Sequence, residues 1–197
     1  MDKISQALLS VSDKTNLSLL ADYLASRSIK LISTGGTAAA LVKDGFAVTE
    51  VAQYTGFLEM LDGRVKTLHP KIHAGILHRR DLAAHVAQMT VQGWPGIDLV
   101  VVNLYPFERV TADPATSFQE AIENIDIGGP CLLRASAKNH AHVAVLCDPA
   151  DYPEFISEMD KTSGQLSPGF RLKLAQKAFA RTSSYDRVIA DYLSAKA

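Results

Sequence analysis

Apolar positions along this chain fall into two textures, short dense runs and longer stretches with helical spacing. Dense runs occur at 7–11 ("ALLSV"), 29–33 ("IKLIS"), 97–103 ("IDLVVVN") and 142–148 ("HVAVLCD"), and their length and β-branched content suit buried strands. The stretch "FAVTEV" at 46–51 alternates and predicts a further strand. Leu17, Leu20, Ala21 and Leu24 recur at helical spacing after the first run, and "TAAALVKDG" reads as a short helix stopped by Gly45. Over 167–197, Phe170, Leu174 and Ala178, then Tyr185, Ile189 and Leu193, predict one or two amphipathic C-terminal helices packed on the sheet. Strands that alternate with helices predict an α/β fold with a mostly parallel sheet covered on both faces.

Composition narrows this picture. A chain of 197 residues with 47% hydrophobic content suits a single domain over 1–197 with one sizeable core. Twenty basic and 21 acidic side chains give a net charge of −1, which argues against nucleic acid or an anionic membrane as the main partner and leaves room for a small anion held locally. No apolar run approaches the roughly 18 residues that a membrane span needs, so the expected location is the cytosol. Cys131 and Cys147 each sit in an apolar run and read as buried free thiols.

The alternating layout gives the loops a meaning, because ligands of open α/β sheets bind beyond the carboxyl ends of the strands. "SDK" (12–14) follows the first strand and "STGGT" (33–37) the second, and each opens a helix. Two helix N-termini, the hydroxyls of Ser12, Ser33, Thr34 and Thr37 and the ammonium of Lys14 would together suit a phosphate. Neither loop is a P-loop or a dinucleotide fingerprint, and a Gly-Gly pair also serves as a plain tight connection. On the same rim, "DLVVV" ends in Asn103 and Tyr105, where a tyrosine is commonly a packing residue. Asp126 precedes a Gly-Gly-Pro turn and reads either as a helix cap or as an acid of the site; Lys138 reads either as solvated or as part of it. The stretch 63–80 gathers Arg64, Lys66, Lys71, Arg79 and Arg80 with little period. His69 and His73 stand four apart there, but Pro70 interrupts a helix through both and no carboxylate lies between, which argues against zinc.

In this order, "SVSDKT", "STGGTA", "DGRVKTLHPKIHAGIL", "NLYPF", "IDIGGP" and "AKNHA" resemble the inosine monophosphate cyclohydrolase domain of the bifunctional purine-biosynthesis enzyme, over nearly the whole chain. The resemblance implies a doubly wound, methylglyoxal-synthase-like fold. It also implies a reaction, closure of the second ring of a formylated imidazole-carboxamide ribotide with loss of water, that uses neither metal nor organic cofactor. Carried over motif by motif, it implies Lys66, Tyr105, Asp126 and Lys138 as the catalytic set. Ser12, Lys14, Ser33, Thr34, Gly36 and Thr37 would hold the 5′-phosphate, with Arg64, Thr67, Asn103, Ile127 and Gly128 around ribose and base.

The same resemblance implies a homodimer, and a chain that stops where the formyltransferase domain would begin is either a stand-alone cyclohydrolase, supplied by a separate formyltransferase, or a fragment. A nucleotide-sensing module of the same fold, binding without turnover, is the alternative from another class. The chain departs from the family pattern at Asn16, where glycine is usual, at Leu58, where proline is common, and at Ser136, where alanine is common.

Overall fold

A computed structural model describes residues 3–196. Its strands are β1 (Gln6–Val11), β2 (Lys30–Ser33), β3 (Val48–Glu50), β4 (Leu99–Asn103) and β5 (Ala144–Leu146). The helices are α1 (Leu17–Ser26), α2 (Gly35–Lys43), α3 (Val51–Thr55), α4 (Pro70–Leu77), α5 (Ala83–Gln92), α6 (Phe107–Ala112), α7 (Phe118–Glu123), α8 (Gly128–Lys138), α9 (Tyr152–Lys161) and α10 (Pro168–Ser194).

The strands pair in the order β3-β2-β1-β4-β5, and every pairing is parallel. Parallel neighbours need crossovers, and the contacts group α1 with α2 and α9, and α8 with α4 and α10. With both faces covered, β4 reads as an unbroken apolar run, and Leu99, Val100, Val101 and Val102 are all buried. Among the described residues no helix is long and apolar enough to cross a membrane.

Several elements differ from their sequence-based outlines. "FAVTEV" yields only three strand residues, because α3 starts at Val51. Within the tail, Pro168–Ser194 form one helix of 27 residues, capped by a Ser167 hydroxyl that accepts from the N–H of Phe170, and its Phe170, Leu174, Ala178 and Tyr185 are buried. The Gly128-Gly129-Pro130 stretch is the first turn of α8 rather than a turn between elements. Proline is tolerated there because the first turn's N–H groups have no intrahelical partner.

The order of the sheet reverses direction at β1, which lies between β2 and β4, and a crevice opens beyond their carboxyl ends at such a point. Val11 is the register partner of Asn103, so the residues that follow β1 and β4 emerge side by side. The opposite, amino rim is fastened by buried Asp98, which accepts from the N–H and hydroxyl of Ser5 and the N–H of Gln6 and pairs with Arg80 at 2.8 Å.

Candidate active site

The floor of the crevice is a set of backbone clamps. The Asn103 Oδ1 accepts from the Ser12 and Asp13 N–H groups, each at 2.8 Å, and its Nδ2 donates to the Asp13 carbonyl at 2.9 Å. Asn103 therefore shapes the loop after β1. The Ser12 hydroxyl lies 2.8 Å from the same Oδ1 and 2.9 Å from the Leu104 carbonyl. Asn16, at the head of α1, has φ 56° and occupies the left-handed region; asparagine is among the few side chains that sit there readily, which accounts for its standing in place of a glycine.

The N-terminus of α2 is fixed to the same rim. The Thr37 hydroxyl accepts from the Val11 N–H at 2.9 Å and donates to the Val11 carbonyl at 3.0 Å. Ser33, fully buried, donates its hydroxyl to the Leu9 carbonyl at 2.7 Å. These two hydroxyls serve the sheet, so the predicted phosphate cradle reduces to the first N–H groups of α2, the Thr34 hydroxyl and two ammonium groups. A Cβ on Gly36 would lie 3.9 Å from the Lys14 Nζ, and one on Gly35 would lie 3.3 Å from the Lys66 Nζ. Lysines thus flank a helix N-terminus, where an anion gains from the dipole, from free N–H donors and from both charges.

Lys66 is delivered by the tight 63–68 segment, in which the Lys66 N–H donates to the Gly63 carbonyl and the Leu68 N–H to that of Val65. Next to it, Thr67 is buried against the start of α8, and a Cβ on Gly128 would come within 2.7 Å of its Oγ1. Asp126 sits at that helix start and accepts from the Gly129 N–H at 2.8 Å, so the helix-cap reading of this residue is correct. Its own N–H donates to the hydroxyl of fully buried Tyr185 at 2.8 Å, which ties the acid to α10 from below. Burial raises the Asp126 carboxyl above the usual range, while the Gly129 and Tyr105 N–H groups and the Lys66 ammonium partly offset that rise. Lys66, Asp126 and the Tyr105 backbone are therefore neighbours, and Tyr105 and Ile127 present half-exposed side chains at the mouth.

Two predicted residues stand elsewhere. Arg64 is exposed and paired with Glu123 of α7, an interaction weak enough for a bound anion to replace. Lys138 is the last residue of α8, ten residues from Gly128, which at about 1.5 Å per residue is roughly 15 Å along the axis. Its neighbour Asn139 donates to the Ile76 and His78 carbonyls at the C-terminal end of α4. Lys138 therefore lies at the amino rim, and the structure does not bring it to Lys66 and Asp126 within one chain. Among the described residues no group of three or more His, Cys, Asp or Glu is arranged to hold a metal ion. His69 is the N-cap of α4 and accepts from the Lys71 N–H with its Nδ1, so that ring nitrogen has a structural task.

Sequence reasoning did not find Tyr185, whose signal is only that of one more apolar position on an amphipathic helix. Nor did it find the link between α4 and the lysine loop, where burial holds His73 below the usual histidine range and a hydrogen bond to the Thr67 backbone works against that shift.

In chemical terms the crevice joins an anion cradle to a half-buried carboxylate through a single ammonium group. Known proteins share these sequence features. Over residues 16–131 the chain matches the family described as "MGS-like domain", and over 136–197 the family described as "AICARFT/IMPCHase bienzyme". Two proteins named "Bifunctional purine biosynthesis protein PurH", from Neisseria meningitidis serogroup A and Ruegeria pomeroyi, are 54% and 53% identical to it over 194 residues. That is 98% of this chain, which spans only 37% and 36% of the length of these relatives. A solved structure described as "Crystal structure of ForH" superposes with a TM-score of 0.83 at 36% identity, covering 94% of this chain and 97% of that one. The first of the family matches takes in more than half of the sequence, and the chain belongs to the family of MGS-like domains, in the form found in bifunctional purine biosynthesis proteins.

Proposed function

We propose that this chain is an inosine monophosphate cyclohydrolase, closing 5-formamidoimidazole-4-carboxamide ribotide to inosine monophosphate with loss of water. The observation that carries the reading is the position of Lys66, which lies against Gly35 at the anion cradle while its charge acts on the Asp126 carboxyl. A ribotide phosphate seated at α2 would direct its base toward α8. There the carboxamide nitrogen must attack the formyl carbon, a reaction of a weak nucleophile with a weak electrophile, so the site must hold the two in contact and move protons. Asp126 receives the N–H proton as the C–N bond forms. Lys66 stabilises the negative charge on the former formyl oxygen, which takes up that proton and the formamide N–H proton and leaves as water as its C–O bond breaks and the ring C=N bond forms. The Tyr105 side chain completes the hydrogen-bonding around the ring. Lys14, Gly36, Thr34 and the α2 N-terminus hold the phosphate, Thr67, Ile127 and Gly128 border the ribose and base, and Arg64 joins them once the ligand draws it from Glu123.

The same reading takes 1–197 as one domain, consistent with a single continuous cluster of buried apolar residues, and locates it in the cytoplasm. It makes the chain part of a homodimer and has a formyltransferase activity, in a separate protein or a joined domain, supply the formylated substrate.

The test is turnover. Purified chain is mixed with the formylated ribotide in the absence of folate and added metal, and inosine monophosphate is followed by its absorbance beside a Lys66→Ala control. Turnover that the substitution abolishes is the expected result. Nucleotide binding without turnover would overturn the enzyme reading in favour of a sensor.

A further inference from the structure

The segment that leads into Lys66 has an unusual backbone. Leu61 and Asp62 have φ of 52° and 51°, and Gly63 follows at 81°. Two consecutive non-glycine residues in the left-handed region are costly, and such strain persists where the surroundings impose it, often at functional sites. Its consequence is geometric. The chain doubles back so that the Glu59 side chain folds over Gly63, where an added Cβ would lie 2.6 Å from the Glu59 Oε1 and 3.1 Å from the Lys66 Nζ. The carboxylate and the ammonium thus converge on one glycine, and only glycine leaves room for both. The Phe57 ring, 5.8 Å from the His69 ring, anchors the start of the segment on the head of α4. Among the described residues the Glu59 carboxylate makes no hydrogen bond and no ion pair within 4.0 Å, so it has no evident task in stabilising the loop.

We propose that Glu59 is a positioning residue for Lys66, holding the ammonium over the first turn of α2 and away from close pairing with Asp126. The inference rests on the cyclohydrolase reading. An ammonium with one carboxylate beside it is drawn onto that carboxylate, and Asp126 must stay available to receive the carboxamide proton. A second carboxylate on the other side balances the pull and leaves the ammonium between the two, next to the space where the formyl oxygen takes up protons and leaves as water with the C–O bonding pair. Glu59 touches neither the phosphate cradle nor the reacting atoms in this arrangement.

The substitution to measure is Glu59→Gln, which keeps the shape and removes the charge at an exposed position where folding is little affected. The expected result is a fall in kcat of about fivefold, in keeping with a partly screened charge pair, with KM unchanged or lower because an anion near the phosphate has gone. Glu59→Asp, which retains the charge on a shorter stem, should recover part of kcat. Wild-type kcat in Glu59→Gln, or a rise in KM with kcat intact, would overturn the positioning role. Absence of turnover in the unsubstituted chain would instead overturn the cyclohydrolase reading on which it rests.

Discussion

Under the proposed reaction Asp126 carries two duties whose energetic demands oppose each other. As the cap of α8 it gains from accepting the Gly129 N–H, yet its burial penalises the charged form, and the net effect is a raised pKa. A base must be ionised, so turnover should fall as the pH drops through this raised value, giving an acid limb above the ordinary carboxylate range of about 3.9. For stability the direction is opposite. The folded chain holds this proton more tightly than the unfolded one, so the group's contribution to stability is greatest in acid and diminishes as the pH rises through the folded pKa. Asp126→Asn keeps an oxygen for the Gly129 N–H and needs no buried charge at neutral pH. It should lower kcat by about 10²–10⁴ while leaving the melting temperature at pH 7 unchanged or raised. A large loss of melting temperature with near-normal kcat would mark Asp126 as a cap and nothing more.

At the level of elements, the start of α8 is where packing and the proposed chemistry are most tightly bound together. A Cβ on Gly129 would meet the Asp126 Oδ2 at 2.4 Å and the Leu104 Cδ2 at 2.7 Å, so Gly129→Ala must displace the acid, the end of β4 or the helix. The expected cost is about 1–3 kcal/mol of stability, with a loss of turnover greater than that of stability. Gly169→Ala, in the first turn of α10 with nothing within 4 Å of the new methyl group, should be neutral or slightly stabilising, and thermal melts of the two variants side by side check the contrast. The same helix start explains what could be read from the sequence and what could not. "DLVVV" declares a strand because a parallel sheet buries both faces and leaves no polar alternation. The loop over 33–37 is legible as a strand-to-helix junction because its Gly-Gly pair stands between a buried run and a helical period, while nothing local shows that Ser33 and Thr37 turn their hydroxyls to the sheet. The Gly128-Gly129-Pro130 stretch misleads, since its composition is that of a turn although it forms the first turn of α8, whereas Asp126 before it is readable as a helix cap. In 63–80 the cations mask the period of α4, and the helix begins with Pro70 at a position where proline is favoured. Ser136, where alanine is common, keeps its buried hydroxyl satisfied by donating to the Leu132 carbonyl one turn back.

Across the whole molecule the decisive length is that of α8. Its start holds Asp126 beside Lys66 at the carboxyl rim and its end carries Lys138 to the amino rim, roughly 15 Å away by the rise of about 1.5 Å per residue. No side chain spans that separation while leaving room for a nucleotide, so a catalytic role for Lys138 requires the amino rim of a second chain. The homodimer proposed above then has a specific consequence. Lys66→Ala and Lys138→Ala chains would each be inactive alone, because every site in either homodimer lacks one lysine. When subunits exchange at random, half of the dimers carry one of each, and one of the two sites in such a dimer has both lysines intact. Turnover in the mixture should therefore rise to about a quarter of the unsubstituted value. If Lys138→Ala is fully active by itself, Lys138 has no part in the reaction, and Lys66, Asp126 and Tyr105 act as one chain presents them. If it is inactive and mixing restores nothing, Lys138 serves its own chain by holding the far end of α8, whose near end carries Asp126.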